Sequence, residues 1–440
     1  MDLHVGRALS AAEIADLLGE ARARTLLLVG SLSEEDLRRQ HDPLMSPIVW
    51  DLGHIAHFEE VWLLENVEGG GTGSEGLRGM YDPFRNPRAV RDGLPLPGFA
   101  EAGAFLGRVR RAVLDRLACT DLSAPTPLLR DGFVYRMVLQ HEYQHGETIL
   151  QTLQLKQGEP YAPPRQLDAP RPPGGAPEAG AMVRWPGGRV RLGTDDRSTA
   201  YDNERPAHEV DVAPFRIDAH PVTNAEFGRF VDDGGYRRRD AWSEAGWAWK
   251  GEAGLEGPKH WGEDGGGRTE RFMDRTVPLA DGRPVCHVCY WEADAYARWA
   301  GKRLPTEAEW ELAATWDANA GVQRRYPWGD GAPTALHANL DALLFETTRI
   351  GSYPSGVSPL GCWDMIGNVW EWTSSDFAPY PGYRTFPYPE YSEVFFGGEH
   401  KVLRGGSWAT RSGAIRGTFR NWDYPIRRQI FSGVRCAQDG

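Results

Sequence analysis

The chain has 440 residues and a formal net charge of −12, and no apolar run in it is long enough to cross a bilayer. Its length exceeds what one hydrophobic core usually organises, so two or three domains are expected. The acidic balance argues against a nucleic-acid partner, and the lack of signal-peptide and transmembrane patterns predicts a cytoplasmic protein without membrane contact. Five cysteines are few and odd in number, which fits a reducing compartment better than a disulfide framework.

The first third of the chain predicts a four-helix bundle, which we assign to residues 1–157. Ser10-Ala-Ala-Glu13 is a capping box, and apolar residues follow it at helical spacing. Ser46-Pro47 predicts a second helix start, with serine as the N-cap and proline in the first turn. Long helices joined by loops are typical of a bundle, in which facing helices build metal sites. The predicted helices span about 11–28, 46–64, 99–117 and 132–155.

A pair of histidines on the last of these helices predicts a metal site. His141 and His145 are four residues apart and therefore lie on one helix face, where two imidazoles can bind one ion. Two ligands make a poor site, and His54 on the second helix is the best third candidate. Three neutral imidazoles with open positions suit a redox-active iron or a catalytic zinc. The spacing alone fits ordinary helix histidines equally well.

After the bundle the composition changes. Seven prolines between Pro160 and Pro177 predict an extended linker over 158–180, followed by a second domain over 181–440. Fifteen of the 17 tryptophans lie in that domain, among short strand-like runs and ordered loops of the kind that often carry function. The helices predicted in this domain span about 224–232, 291–300 and 306–315.

Several phrases in both halves carry a specific resemblance. Those of the second half resemble the formylglycine-generating-enzyme-like, or sulfatase-modifying-factor, family, whose domain has a C-type-lectin-like fold. The first half resembles a DinB-type four-helix bundle with a three-histidine metal site. The resemblance implies an α+β multidomain protein. The phrases of the second half are Pro221–Phe227, Arg303–Trp310, Tyr326–Gly329, Gly367–Trp372 and Leu403–Trp408.

The pairing of these two domains resembles the ergothioneine-pathway sulfoxide synthases. This family implies iron(II), bound by His54, His141 and His145. The implied reaction uses O2 to join the thiol of γ-glutamylcysteine to C2 of the imidazole of hercynine (Nα-trimethylhistidine), with oxidation of the sulfur. Further phrases that carry this resemblance are Asp42–Pro47, Trp50–His54, Asp202–His208 and Phe419–Ile430.

The resemblance also implies residues that bind the sulfur donor. Arg88 and Arg91 correspond to arginines that contact the carboxylates of γ-glutamylcysteine, and planar guanidinium groups suit carboxylates. Asp423 and Arg427 correspond to the residues that hold the amino-acid end of its γ-glutamyl group.

A second set of implied residues concerns hercynine and proton or electron donation. Gln144 matches a position near the histidine substrate, Asn421 and Trp422 face the trimethylammonium group, and Tyr391 belongs to the hercynine pocket. Tyr388 matches the catalytic tyrosine, but Tyr380 and Tyr383 lie close enough in sequence to remain alternatives. Beside the ligands, Glu142 and Glu147 are not expected to be catalytic, and Glu147 is favoured as support for a ligand.

Alternative readings remain. His57, one helical turn after His54, departs from the family pattern and is a possible alternative ligand. A related enzyme using cysteine, a glutathione-like thiol or a selenosugar shares most of these motifs. A copper-dependent formylglycine-generating oxidase is disfavoured because residues 408–415 contain no cysteine, and a non-catalytic binding module because all three histidines are present. We expect a monomer with small-molecule partners, and acidic loops of the second domain leave a structural calcium open.

Overall fold

A computed structural model describes residues 9–72, 75–164 and 180–440. The chain divides into two compact units, Met1–Arg165 with Asp196–Thr199, and Gln166–Asp195 with Ala200–Gly440. Most of the predicted 158–180 linker lies outside the described residues, so the domain boundaries at 157 and 181 stay a prediction. Within the described ranges, no helix combines the length and apolar character needed to span a membrane. All five cysteines are free thiols, as predicted.

The first unit is helical, and its long helices are α1 (Ala11–Val29), α3 (Ile48–Glu60), α6 (Phe99–Leu117) and α7 (Phe133–Gln154). Each buries an apolar stripe at helical spacing; in α1 the stripe includes Ile14, Leu17, Leu18 and Ala21. The described helices of this unit are α1 (Ala11–Val29), α2 (Glu34–Arg38), α3 (Ile48–Glu60), α4 (Asn66–Glu68), α5 (Glu75–Tyr81), α6 (Phe99–Leu117) and α7 (Phe133–Gln154).

The four predicted bundle helices are all present, with one correction at the start of α3. The N-cap is Pro47, which makes no side-chain capping bond. The prediction that Ser46 is the N-cap was therefore wrong. The Ser46 hydroxyl instead accepts a hydrogen bond from Arg91 Nη1 at 2.5 Å. Beyond Glu60 the chain continues as a π-helical turn, Val61–Glu65, a feature that apolar periodicity does not reveal.

The second unit combines short helices with several small sheets. Its largest described sheet has the strand order β12 (Asn421–Asp423), β11 (Lys401–Arg404), β10 (Trp370–Asp376) and β13 (Ser432–Gly433), with β10 antiparallel to β11 and parallel to β13. The described strands are β1 (Met182–Trp185), β2 (Gly188–Leu192), β3 (His208–Val212), β4 (Phe215–Asp218), β5 (Trp261–Asp264), β6 (Gly267–Phe272), β7 (Arg275–Pro278), β8 (Trp316–Asp317), β9 (Val322–Gln323), β10 (Trp370–Asp376), β11 (Lys401–Arg404), β12 (Asn421–Asp423), β13 (Ser432–Gly433) and β14 (Ala437–Asp439).

The described helices of the second unit include the three that were predicted. Thr306 and Glu309 form the predicted capping box of the last one. The prediction missed α9 (Glu244–Glu252), because its glycines and tryptophans show little apolar periodicity; Ser243 at its N-cap was the available signal. These helices are α8 (Asn224–Asp232), α9 (Glu244–Glu252), α10 (Tyr290–Trp299) and α11 (Glu307–Thr315).

Candidate metal centre and substrate-binding residues

The first unit brings together the three histidines that the sequence singled out. His54 comes from α3, and His141 and His145 come from successive turns of α7. One nitrogen from each ring lies within 4.8 Å of the others, and the Nε2 atoms of His54 and His141 are 3.2 Å apart. His57 is not a member of this cluster. Three converging imidazole nitrogens are a plausible donor set for a divalent transition metal.

Hydrogen bonds on the far side of two of these rings orient them toward one point. His54 Nδ1 donates to the carbonyl oxygen of Tyr81 at 2.8 Å, and His145 Nδ1 donates to Asp51 Oδ1 at 3.1 Å. Because both Nδ1 atoms carry the proton, both Nε2 lone pairs remain for a metal. Gly53 lets the Tyr81 ring pack against the helix that carries His54, since a Cβ at position 53 would lie 2.0 Å from that ring.

Two of the imidazoles each stack on a neighbouring aromatic ring. Trp50 stacks on His54 with ring centroids 4.8 Å apart, and Phe58 stacks on His141 at 3.7 Å with 9° between the planes. The Arg91 guanidinium lies 3.4 Å from the Trp50 ring centroid. Asp51, Trp50 and Phe58 were not among the residues predicted to act at this site. The signal was their spacing, since Trp50 and His54 are four residues apart on one helix.

The protonation state of the cluster also suits a metal. Burial, and then the neighbouring imidazoles, hold the pKa of both His54 and His141 well below the usual range for histidine. Neutral imidazole is the form that binds metals, so these rings need not lose a proton at neutral pH before they coordinate an ion. The donor set therefore fits iron(II), and it also fits other divalent ions that accept imidazole.

The two glutamates beside the ligands have different surroundings. Glu142 Oε1 accepts from Arg22 Nε at 2.8 Å, and Glu142 Oε2 accepts from Arg110 Nη2 at 3.1 Å. Burial by itself raises the pKa of Glu142, but these two guanidiniums outweigh it and hold the pKa below its ordinary value. Glu147 is also buried on α7. Asp51 supplies a carboxylate that contacts a ligand ring, and a supporting role for Glu147 stays a prediction.

The two predicted donor-binding arginines of the first unit, Arg88 and Arg91, both lie on a 3-10 turn, Arg88–Gly93. Arg91 is buried, and its Nε donates to the carbonyl oxygen of Asn86 at 2.8 Å. Burial lowers the pKa of Arg91 to about 10, so it remains a cation at neutral pH. Gln144 lies on α7, one residue before His145.

The second unit places the other predicted donor-binding pair in direct contact. Arg427 Nε lies 3.1 Å from Asp423 Oδ1, and the Arg427 side chain is largely buried. Asp423 belongs to β12 together with Asn421 and Trp422. Side chains alternate along a strand, so Asn421 and Asp423 share one face and Trp422 points to the other.

Aromatic side chains surround Trp422. The indole stacks on Phe377 with centroids 4.1 Å apart and meets Tyr391 edge-on at 5.6 Å. Tyr391 stacks in turn on Tyr201 at 4.0 Å, a residue that the sequence analysis did not single out. The predicted hercynine residues Trp422 and Tyr391 therefore belong to one aromatic cluster.

The three candidate tyrosines differ in their hydroxyl partners. Tyr383 donates to Asp202 Oδ2 at 2.8 Å, and the Tyr380 hydroxyl lies 3.4 Å from Glu307 Oε1. Tyr388 immediately precedes the 3-10 turn Pro389–Tyr391, and burial raises the pKa of its hydroxyl well above the ordinary value. Tyr380 and Tyr383 thus contact carboxylates of the second unit, and the choice of Tyr388 as the catalytic tyrosine stays a prediction.

Comparison with known proteins agrees with this two-part organisation. The DinB superfamily matches residues 17–149, and the sulfatase-modifying factor enzyme 1-like domain matches residues 170–440. A DinB-type helical domain followed by a sulfatase-modifying-factor domain defines the class of protein and confirms the predicted fold class.

Full-length relatives narrow the class. The hercynine oxygenase of Mycolicibacterium thermoresistibile is 50% identical over 439 residues, covering 97% of this chain and 95% of the relative. That of Mycobacterium tuberculosis is 48% identical over 434 residues, covering 97% of this chain and 99% of the relative. The formylglycine-generating enzyme of the same species is 37% identical over 240 residues, covering 47% of this chain and 77% of the relative. The chain belongs to the hercynine oxygenase family.

Proposed function

We propose that this protein is an iron(II)-dependent oxygenase that acts on hercynine in ergothioneine biosynthesis. The proposed reaction joins the thiol of γ-glutamylcysteine to C2 of the hercynine imidazole and oxidises the sulfur with O2. The observation that carries the proposal is the convergence of His54, His141 and His145 in a chain whose relatives are named hercynine oxygenases. The substrates are small molecules, and we expect the protein to act as a cytoplasmic monomer.

The three imidazoles would hold the iron and leave it cationic. When bound, iron(II) supplies open positions for substrate and for O2, together with the redox chemistry that amino-acid side chains lack. The protein has two tasks at this centre. It keeps His54 and His141 neutral, and it fixes the ring of His145 through Asp51.

The charged pair of the second unit suits an amino acid as ligand. Asp423 and Arg427 offer opposite charges 3.1 Å apart, and an α-amino acid carries the complementary ammonium and carboxylate. We assign this pair, with Arg88 and Arg91, to γ-glutamylcysteine. The γ-glutamyl group would exchange one internal ion pair for two charge-assisted contacts.

The aromatic cluster suits the other substrate. A quaternary ammonium is attracted to the negative face of an aromatic ring by about 0.5–2 kcal/mol. We assign Trp422 and Tyr391 to the trimethylammonium group of hercynine, and Asn421 and Gln144 to polar contacts with the same substrate. The side chains of Trp422 and Tyr391 are uncharged, so neither competes with the trimethylammonium group for a counter-ion.

We assign the proton- or electron-donating role to Tyr388. Burial raises the pKa of this hydroxyl, which is protonated at neutral pH as in any tyrosine, so a proton is available when sulfur joins the imidazole. The lack of cysteine in residues 408–415 opposes a copper-dependent formylglycine-generating activity, although a formylglycine-generating enzyme is among the relatives.

A donor panel tests the reaction. The anaerobically iron-loaded protein receives hercynine, O2 and one of γ-glutamylcysteine, cysteine, glutathione or a selenosugar, and products are identified by mass. We expect a hercynine–sulfur adduct carrying one added oxygen with γ-glutamylcysteine. If product forms efficiently with only one of the other donors, that donor replaces γ-glutamylcysteine as the proposed substrate. If the protein retains no iron, the proposal of an iron-dependent oxygenase is overturned.

Donor-site variants refine the assignment. Asp423→Asn and Arg427→Gln should raise KM for γ-glutamylcysteine while leaving KM for hercynine nearly unchanged, because each removes one charged partner. Arg298→Gln is a matched control, since Arg298 forms an i,i+4 ion pair with Asp294 on α10 at 2.8 Å. Equal kinetics in all three variants would remove Asp423 and Arg427 from the donor site.

A further inference from the structure

Four charged side chains of the helical bundle are buried and bonded to one another. Glu59 and Glu142 are 0% and 2% exposed, and Arg22 and Arg110 are each 8% exposed. Buried charges are costly unless each one is paired and hydrogen-bonded. Two carboxylates and two guanidiniums make this group neutral as a whole. The sequence signal was a charged residue within an apolar stripe, since Arg22 follows the buried Leu18 by four positions in α1.

Each guanidinium in this group bridges both carboxylates. Arg22 donates from Nη2 to Glu59 at 2.7 Å and from Nε to Glu142 at 2.8 Å. Arg110 donates from Nε to Glu59 at 2.6 Å and from Nη2 to Glu142 at 3.1 Å. The four side chains therefore form a closed ring in which positive and negative groups alternate. Thr25 adds a hydrogen bond to Glu142 at 3.1 Å.

The carboxylates and the guanidiniums of this group come from different helices. Glu59 lies on α3, five residues after His54, and Glu142 lies on α7, immediately after His141. Arg22 and Arg110 lie on α1 and α6, which supply none of the three histidines. Each ligand-bearing helix thus contributes a carboxylate, and the two other helices contribute the cations that join these carboxylates.

This arrangement bears on the metal centre because the three ligands come from two separate helices. Apolar packing is non-directional and tolerates small shifts between helices, whereas a metal site needs its ligands placed to within about 0.5 Å. Forked guanidinium–carboxylate bonds are directional and fix both distance and rotation.

We propose that Arg22, Glu59, Arg110 and Glu142 form a positioning ring that sets the placement of α3 against α7 and thereby the affinity and geometry of the three-histidine site. None of the four is a ligand, and the ring acts through the helices that hold the ligands. The inference rests on the proposed metal centre.

Cobalt(II) binding to the full-length metal-free protein tests the proposal, because bound Co(II) reports affinity and coordination geometry without turnover. The variant is Arg110→Met, which removes one bridge from a helix without ligands. We expect Co(II) affinity to fall about 10- to 100-fold and the absorption bands of bound Co(II) to change. The control is Val113→Ala, one turn further along α6, where the buried valine is 1% exposed. It should lower thermal stability while leaving Co(II) affinity and spectrum unchanged.

Loss of one arginine leaves two buried carboxylates sharing one cation, and the single variant is at risk of not folding. A second variant replaces all four charged residues by methionine, since apolar replacement of a buried ion cluster commonly preserves folding. This variant should fold and still show the weakened affinity and altered spectrum. Wild-type Co(II) affinity and spectrum in either folded variant would overturn the proposal, as would an equal loss of affinity in Val113→Ala. A wild-type protein that binds no Co(II) would overturn the metal centre itself.

Discussion

Replacing Asp51 by asparagine is expected to weaken metal binding with little effect on the stability of the metal-free protein. Asp51 is 1% exposed, and its Oδ1 atom accepts the hydrogen bond that orients His145. Asparagine retains an acceptor oxygen of the same size but no negative charge. The change therefore isolates the charge from the shape of the side chain.

The magnitude follows from the kind of bond that is changed. A hydrogen bond to a charged group contributes about 1.5–3 kcal/mol, and one between neutral groups about 0.5–1.5 kcal/mol. The difference, about 1–1.5 kcal/mol, corresponds to roughly a tenfold increase in the Kd for metal. Asp51→Ala removes the acceptor altogether and should approach a loss of about 100-fold.

The stability of the metal-free protein should respond differently, because two effects oppose each other. Asp51 Oδ2 is buried and has no hydrogen-bond partner among the described residues, so removing the charge relieves a desolvation cost. The same change removes an electrostatic attraction to Arg91 and weakens the hydrogen bond from His145, which is present without metal. We expect a net change below about 1 kcal/mol, the scale of a single modest hydrogen bond.

The assay is a competition titration of the metal-free protein with Zn(II) or Co(II) against a chelator, alongside chemical denaturation. Asp36→Asn is the control, because Asp36 pairs with Lys156 at 2.8 Å in the same unit. It should alter stability but not metal affinity. Unchanged affinity in both Asp51 variants, or a stability loss as large as the affinity loss, would refute the reasoning.

Three further predictions concern other groups. His54→Ala should lose iron after anaerobic loading and His57→Ala should retain it; the opposite result would make His57 the third ligand. Burial lowers the pKa of His287 to about 3, so the unfolded state binds the proton first as pH falls below about 6.5. The contribution of His287 to the free energy of unfolding should then fall by about 1.4 kcal/mol per pH unit between pH 6.5 and 3. Denaturation of His287→Asn should show a shallower pH slope, and an unchanged slope would contradict the assignment. Tyr388→Phe should still bind both substrates and consume O2 but divert product from sulfoxide to sulfinate, as measured by mass spectrometry. A diversion seen in Tyr383→Phe alone would move the role to that residue.

Local physical chemistry made much of this protein predictable from its sequence. The bundle helices and three helices of the second unit were readable because capping boxes and apolar periodicity act over a few residues. The sequence also predicted that His141 and His145 lie on one helix face, since a helix fixes the relation between positions i and i+4. Family motifs then supplied the fold class and the remaining candidate residues.

Other features depended on contacts between residues far apart in the chain. His54 could be separated from His57 only when α3 and α7 packed together, and the same packing paired Asp51 with His145 across 94 positions. Ser46 looked like an N-cap because its local sequence fits one, but a distant guanidinium, that of Arg91, binds its hydroxyl. Local sequence determined which helices form and which residues share a face. Tertiary packing decided which side chains meet and which charges are buried, because burial and long-range pairing depend on the relative placement of helices that no short segment encodes.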